Sequence, residues 1–127
     1  MITPEMLAAN KSESSQQKAL FCWAALNIKQ YPELKWLTAI PSGGNRDAIT
    51  GARMKAEGLK RGIPDILLAV RKNAWASLWI ELKVASGGKV SPEQTEWIAH
   101  LLSQGYCAIV CKGYEEARDT IIKYLES

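Results

Sequence analysis

The stretch GIPDILLAVRKNAWASLWIELKV, residues 62–84, contains two apolar segments joined by a short polar turn. The first segment, 63–70, becomes a continuous apolar run after its aspartate, which is typical of a buried strand. The second segment, 75–84, is rich in aromatic and branched residues, which favour strands. We therefore predict a hairpin of two strands with its turn over 71–74.

The register of this hairpin decides where its charged side chains lie. If the turn takes three residues, 72–74, then Asp65 pairs directly with Glu81, and paired residues share one face of the sheet. Lys83 shares that face because side chains alternate along a strand, and Leu82 points into the core. A slip of one residue would place the two carboxylates on opposite faces.

Three further elements are predicted around the N-terminal side of the hairpin. Apolar residues at spacings of three and four predict a helix over 14–30, which Pro32 ends. A short strand over 34–40 follows, and an irregular helix over 46–57 precedes the hairpin. We expect residues 1–11 to form a flexible N-terminal segment.

A helix, a strand and a second helix are predicted after the hairpin. In Ser91-Pro92-Glu93-Gln94 the serine caps a helix, the proline occupies its first turn and the glutamine completes a capping box. A strand follows over 106–111 and a helix over 114–125. The strand–helix–strand step predicts a parallel crossover. The whole order, α-β-(α)-β-β-α-β-α, predicts an α/β fold in which helices flank a small mixed sheet.

The composition limits the classes of protein to which the chain can belong. With 127 residues, 47% hydrophobic and 23% charged, it suits one globular domain over 1–127. It has no apolar run of bilayer length and no signal-peptide pattern at its N-terminus, so we expect a cytoplasmic protein. Its three cysteines show no paired spacing, and we expect buried thiols.

Positive charge is concentrated just before the predicted hairpin. The net charge is only +3, which permits a polyanionic partner without requiring one. Four cations of this stretch are candidates for binding a nucleic-acid backbone: Arg46, Arg53, Lys60 and Arg61. An ordinary solvated basic surface is the alternative for each of them.

The predicted pair of Asp65 and Glu81 needs a compensating charge, since neighbouring carboxylates repel one another. A divalent cation such as Mg²⁺ or Mn²⁺ suits the pair, because Mg²⁺ takes one or two carboxylates and accepts phosphate oxygens as further ligands. Lys83 would then orient or deprotonate an attacking water, or stabilise negative charge that develops during the reaction. The alternative is a pair of surface charges at strand ends, with Lys83 as their ion-pair partner.

Three short motifs, in this order, resemble a known group of nucleases. Gly62-Ile63-Pro64-Asp65, then Glu81-Leu82-Lys83, then Ser91-Pro92-Glu93-Gln94 followed by Trp97 together resemble the PD-(D/E)xK nuclease superfamily. The similarity is closer to its VRR-NUC branch, in the stand-alone form of phage and bacteria, and spans about residues 13–125. It implies a restriction-endonuclease-like core.

The resemblance also implies a role for each matching residue. Asp65 and Glu81 would bind a metal ion together with the backbone carbonyl of Leu82, and Lys83 would be the catalytic lysine. Gln94 would reach the site from the following helix. A purely structural capping role is the alternative for Gln94, and the two roles can coexist.

The first helix of the superfamily often adds one more acidic residue, for which Glu13 is the candidate here. The alternative for Glu13 is a solvated charge at a helix start, where the helix dipole favours it. Gln17 lies one turn further along the same face and is a candidate for contacting nucleic acid. The sequence does not decide which of Gln16 and Gln17 points inward.

The tryptophans are predicted to be structural. Four of them lie in amphipathic elements and are expected in the core or at an interface rather than as base-stacking platforms: Trp23, Trp36, Trp79 and Trp97.

The function that the resemblance implies is that of a metal-dependent, structure-selective DNA endonuclease that hydrolyses phosphodiester bonds. It would be similar to Holliday-junction resolvases, acting as a homodimer on four-way junctions in a bacterial or phage-infected cell. Three alternatives stay open: a flap or nicking nuclease or exonuclease with the same site, a non-catalytic DNA-binding module on a nuclease-like fold, and a metal-dependent hydrolase of a small phosphate ester.

Overall fold

A computed structural model of the chain describes residues 1–41 and 48–127 and is built around a four-stranded sheet. In chain order the strands are β1 (Leu37–Ala39), β2 (Ile66–Leu68), β3 (Leu78–Lys83) and β4 (Cys107–Lys112). The helices are α1 (Pro4–Ala8), α2 (Glu13–Leu26), α3 (Ala48–Ala56), α4 (Pro92–Ser103) and α5 (Tyr114–Leu125), with a 3-10 helix over Pro32–Trp36. None of these helices is long and apolar enough to cross a membrane.

The sheet has the strand order β1-β2-β3-β4 and mixed pairing. β1 pairs antiparallel with β2, β2 pairs antiparallel with β3, and β3 pairs parallel with β4 across the α4 connection. This mixed sheet flanked by helices is the α/β fold that the sequence predicted, including the parallel crossover. The last helix has the predicted bounds, 114–125, and the predicted capping box at Ser91 is present.

One face of β3 belongs to the hydrophobic core. Leu78, Ile80 and Leu82 are buried there, against α2 and α5. The two helices and β2 contribute much of the remaining core, including Ala19, Leu20, Trp23, Ala24, Ile66, Leu68, Ala117 and Ile121. Because burial of one large apolar side chain contributes about 1.5–3 kcal/mol, this face holds both helices to the sheet.

The opposite face of β3 carries Trp79, Glu81 and Lys83, because side chains alternate along a strand. Helix α4 packs on the β4 side of this face, where Leu101 and Ala108 are buried. Above β1 and the end of β2, exposed side chains leave the same face open to solvent. The site face is therefore half covered and half open.

The N-terminal segment is ordered, and the expectation that residues 1–11 are flexible is wrong. Helix α1 lies within it, and Leu7 and Ala8 pack against the core. The buried amide of Gln16 fixes this arrangement: its Nε2 donates to the carbonyl of Ala8 at 2.8 Å, and its Oε1 accepts from the N–H of Tyr114 at 2.7 Å. One glutamine thus joins α1, α2 and α5.

The turn of the central hairpin is tighter than predicted. Lys72 and Trp75 pair across it, and each backbone N–H donates to the other's carbonyl, at 3.0 and 2.9 Å. Asn73 adopts a left-handed conformation with φ 55°, which Asn tolerates better than most residues. The predicted three-residue turn over 72–74 is therefore wrong, since the turn takes two residues.

The register of β2 and β3 is nevertheless the one that the sequence predicted. Between the turn and the pair Leu68–Leu78, the first strand holds three residues, 69–71, and the second holds two, 76–77. The extra residue acts like a β-bulge and cancels the effect of the shorter turn. The two carboxylates consequently start from opposite positions on one face.

Candidate active site

Asp65 occupies the last position before β2, where the strand meets the open edge of the site. Its Oδ2 accepts a hydrogen bond from the backbone N–H of Leu82 at 3.0 Å. This bond reaches across to β3 and holds the half-buried carboxyl group beside the next side chain on the site face, Glu81. Asp65 therefore stands where the sequence register predicted.

Glu81 is the most buried charged side chain of the site, with only 1% of its surface exposed. Its Oε2 accepts a hydrogen bond from Gln94 Nε2 at 3.1 Å and lies 3.3 Å from the ammonium nitrogen of Lys83. Its Oε1 is buried and has no hydrogen-bond partner among the residues that the structure describes. Because a buried carboxylate oxygen without a partner costs free energy, the site cannot be an ordinary pair of surface charges.

Burial is the main reason that the pKa of Glu81 is raised, to about 8. The neighbouring charge of Asp65 raises the pKa further, while Lys83 lowers it. At neutral pH, Glu81 is therefore more readily protonated than an ordinary glutamate. Any cation that enters beside the unpartnered oxygen would favour the ionised form.

Lys83 points its stem along the sheet and its ammonium group toward Glu81, with 10% of the side chain exposed. The loop after β3 folds back over this stem at Gly88. A Cβ on Gly88 would lie 3.1 Å from Lys83 Cβ and 3.2 Å from its Cδ. Because Gly88 has no side chain, the loop can approach the lysine closely and restrict it, a contact that sequence analysis did not predict.

Gln94 makes both of the contacts that the sequence left open, while its role in catalysis stays a prediction. Its Oε1 accepts from the N–H of Ser91 at 2.9 Å and completes the capping box at the start of α4. Its Nε2 donates to Glu81. A single amide therefore connects the first turn of a helix to the buried carboxylate of the site.

Gly62 brings the start of α4 to the hairpin. Its φ is +92°, a conformation that favours glycine. A Cβ at this position would lie 2.5 Å from the carbonyl carbon of Glu93 and 2.8 Å from the backbone nitrogen of Gln94. The backbone of the Gly-x-Pro-Asp segment thus packs directly on the backbone of the helix start, which explains why the two motifs belong together.

Glu13 stands at the mouth of the site, at the start of α2 behind the N-cap Ser12. It is largely exposed, yet its pKa is raised by partial burial and by the charge of Asp65, and lowered by Lys83. Within the described part of the chain, no three His, Cys, Asp or Glu side chains are close enough to hold a metal ion together. The charge of Glu13 therefore interacts with that of Asp65, but Glu13 does not form a three-residue metal-binding group with Asp65 and Glu81.

The residues of the site offer oxygen ligands only. Asp65 and Glu81 present carboxylates, and the orphaned Oε1 of Glu81 supplies an unused acceptor. Such a donor set suits a hard cation that completes its coordination with backbone carbonyls, water or phosphate. The residues present therefore fit Mg²⁺ or Mn²⁺ better than a metal that prefers sulfur or imidazole.

The candidate residues for binding nucleic acid lie farther from this centre. Arg53 is exposed on α3 and pairs with Glu57 at 3.8 Å. Lys60 and Arg61 are exposed in the turn between α3 and Gly62. Arg46 lies outside the described residues. On α2, Gln17 is half-buried one turn after Glu13, and its neighbour Gln16 is the residue that points inward.

The tryptophans divide into two groups. Trp23 is buried in the core, and Trp79 and Trp97 are half-buried, in agreement with the predicted structural roles. Trp36 has 56% of its surface exposed. The core position is therefore excluded for Trp36, because the 3-10 helix turns it away from the core that Leu34 and Leu37 enter, and the other predicted position, an interface, stays a prediction.

The fold defines a class of protein, a nuclease-type α/β domain. The chain belongs to the VRR-NUC domain family, whose model matches residues 5–115. A solved structure described as a VRR_NUC domain protein is similar, with a TM-score of 0.74 and 26% sequence identity. The similarity covers 90% of this chain and 88% of that one. A search of curated proteins gave no match.

Proposed function

We propose that this chain is a divalent-metal-dependent deoxyribonuclease with Asp65, Glu81 and Lys83 at its centre. The observation that carries the proposal is the buried carboxylate of Glu81, which has one unpartnered oxygen beside a second carboxyl and an ammonium group. Groups with strongly raised pKa values in such clusters are typical of functional sites. Membership of a nuclease-type family supports the same chemistry.

Mg²⁺ or Mn²⁺ is the cofactor that we propose, held by Asp65, Glu81 and the backbone carbonyl of Leu82. When bound, such an ion polarises the phosphate and lowers the pKa of an attacking water. Gln94 fixes one oxygen of Glu81, and this leaves the other oxygen for the cation.

Lys83 contributes a fixed positive charge. Its ammonium group is 3.3 Å from Glu81 and only slightly exposed, so little water competes with it. A charge that is already in place stabilises the extra negative charge that develops on the phosphate during hydrolysis. Gly88 above the lysine stem and Glu81 beside its tip together restrict its position.

For the substrate, we propose branched DNA, with a Holliday-junction-resolvase-like activity exerted by a homodimer. The exposed cations Arg53, Lys60 and Arg61 support contacts with the DNA backbone, which position the enzyme without reading sequence. Two-fold symmetry in the protein would match the two symmetric cuts that a four-way junction requires.

The test is cleavage of an end-labelled four-way junction beside a linear duplex and a flap, with Mg²⁺, Mn²⁺ or EDTA. Symmetric, metal-dependent cuts in the junction alone would support the dimeric resolvase. Cuts in flaps or duplex would keep the site and change the substrate. Binding without cleavage of any DNA would instead favour a non-catalytic module.

Matched variants make this test specific for the site. Asp65→Asn and Lys83→Ala should reduce cleavage by at least about 10³-fold, because each removes a group from the centre. Asp119→Asn and Lys123→Ala change the same residue types on the exposed surface of α5, and both should cleave at the parental rate. Parental cleavage by either site variant would remove that residue from the mechanism.

A further inference from the structure

The site face of the sheet continues beyond the carboxylates as an uncovered surface. Four residues of β1, β2 and their flanks form this surface, which we call the open strip. They are two pairs of residues that face each other across the two strands: Thr38 and Leu67, and Trp36 and Ala69. Trp36, Thr38 and Ala69 are exposed and Leu67 is half-buried. Helix α4 covers the other half of the face, so the open strip is accessible from solvent.

The hydrogen bonds between β1 and β2 connect the open strip to the catalytic centre. The N–H of Ala69 donates to the carbonyl of Trp36 at 3.1 Å, and the N–H of Ile40 donates to the carbonyl of Asp65 at 2.7 Å. Trp36 and Ile40 are four residues apart, which is about 13 Å along a strand. The backbone of Trp36 therefore lies within a few nucleotides of Asp65 along the same pair of strands.

The charges near Trp36 favour an anion. The ammonium nitrogen of Lys35 lies 5.2 Å from the centre of the Trp36 ring, and Lys35 is exposed. The nearby acid Glu33 is paired with Lys72 at 3.9 Å, so its charge is already compensated. An exposed aromatic ring with an exposed lysine beside it is a combination that binds a base and its phosphate, once the ammonium group moves from over the ring to the phosphate.

We propose that the open strip binds single-stranded DNA next to the phosphate that is cut. An unpaired base stacks on Trp36, and Lys35 contacts the adjoining phosphate. A base within an intact duplex cannot offer its face to the ring, so the contact selects substrates that have an unpaired base beside the cleavage point, as at a flap or at an opened branch point of a four-way junction. A second protein chain fits less well, because Trp36 is the only large exposed apolar side chain of the strip.

This inference rests on the proposed nuclease function but is tested by binding alone. Fluorescence anisotropy in EDTA would compare a labelled blunt duplex with the same duplex carrying a single-stranded tail of about ten nucleotides. Trp36→Ala should weaken binding of the tailed DNA by about tenfold, within the range for loss of one stacking aromatic. Binding of the blunt duplex should change by less than about twofold.

Two further variants separate stacking from general effects. Trp36→Phe keeps an aromatic ring and should retain most of the preference for the tailed DNA. Leu26→Ala removes an apolar side chain that is equally exposed, at 56%, and lies at the end of α2; it should leave both affinities unchanged. Lys35→Ala should lower the salt dependence of binding by about one phosphate contact.

These binding outcomes test the inference independently of whether the protein cleaves DNA. Equal weakening of tailed and blunt DNA by Trp36→Ala, or no weakening of either, would overturn it. A drop in molecular mass of the Trp36→Ala protein in sedimentation, without the selective loss of tail binding, would overturn it in favour of self-association. If the parental protein cut no DNA but Trp36→Ala still lost tail binding selectively, only the proposed nuclease function would fail.

Discussion

The two faces of β3 differ in the kind of side chain that they bury, although the residues are neighbours in one short strand. Leu78, Ile80 and Leu82 face the core and have no polar group to satisfy, whereas Glu81 and Lys83 face the site. The site residues are as buried as the core residues, but one carboxylate oxygen of Glu81 has no hydrogen-bond partner among the described residues. Burial therefore stabilises the fold on one face, whereas on the other it raises the pKa of a carboxyl group.

The largest effects should come from changing adjacent residues that point in opposite directions. Lys83→Ala should abolish cleavage while the free energy of unfolding changes little, because Glu81 can take up a proton. Leu82→Ala should reduce the free energy of unfolding by about 2–5 kcal/mol by opening a cavity in the core. Urea unfolding and cleavage assays on both proteins measure this contrast. Equal loss of stability in the two variants would contradict this difference between the two faces of β3.

A smaller but still large effect is expected at Gly62. An added Cβ would meet the backbone of Glu93, so Gly62→Ala should push the start of α4 away and reduce cleavage by about tenfold or more as Gln94 leaves Glu81. Gly58→Ala is the matched control, because Gly58 also has a positive φ but open space around it. The control should lose about 1 kcal/mol of stability and keep its activity. Similar activity in both variants would show that the contact with α4 does not position the site.

The pH dependence of stability should distinguish the two faces as well. The pKa of Glu81 is raised to about 8, from an ordinary value of 4.5, so the folded protein binds more protons than the unfolded chain between these pH values. In EDTA, the free energy of unfolding should therefore fall as pH rises from about 4.5 to 8.

Glu81→Gln removes this titration and should flatten the profile in the same range. Mg²⁺ should stabilise the parental protein more at pH 8 than at pH 5, because binding requires the ionised carboxylate. Thermal unfolding at several pH values, with and without Mg²⁺, measures both effects. A parental profile already as flat as that of Glu81→Gln would mean that Glu81 titrates normally.

The smallest effect is expected at Gly88, where the contact involves a flexible side chain. An added Cβ would lie 3.1 Å from the Lys83 stem, which can shift slightly, so Gly88→Ala should lower the cleavage rate only a few-fold. Gly51→Ala offers a control, because nothing lies within 4 Å of that position and the substitution favours helix α3. A full loss of cleavage in Gly88→Ala would mean that the loop contacts the lysine more rigidly than its geometry indicates.

The sequence predicted those parts of the molecule that depend on local rules. The helix over 114–125 and the capping box at Ser91 follow from apolar spacing and capping chemistry. The pairing of Asp65 with Glu81 was also predicted, but for an incomplete reason. The turn is one residue shorter than assumed, and an extra residue in the first strand restores the register.

What the sequence missed depends on contacts between distant segments. Helix α1 is ordered because Gln16 binds it from α2, and no short-range pattern shows this bond. Trp36 was expected in the core or at an interface, and apolar periodicity could not decide between them because it does not reveal where a 3-10 helix rotates the chain. The close contacts of Gly62 and Gly88 could not be predicted either, because a glycine in the sequence does not indicate which distant residue packs against it.

The two hydrogen bonds of the Gln94 amide link the assembly of the candidate site to the folding of the chain. It bonds to its own helix cap and to Glu81, while the helix start rests on the backbone of Gly62. The crossover from β3 to β4 joins segments that are distant in sequence, and such pairings form late because loop closure must precede them. A partly folded chain therefore contains its acidic residues without this arrangement, and the candidate site is complete only when the crossover closes.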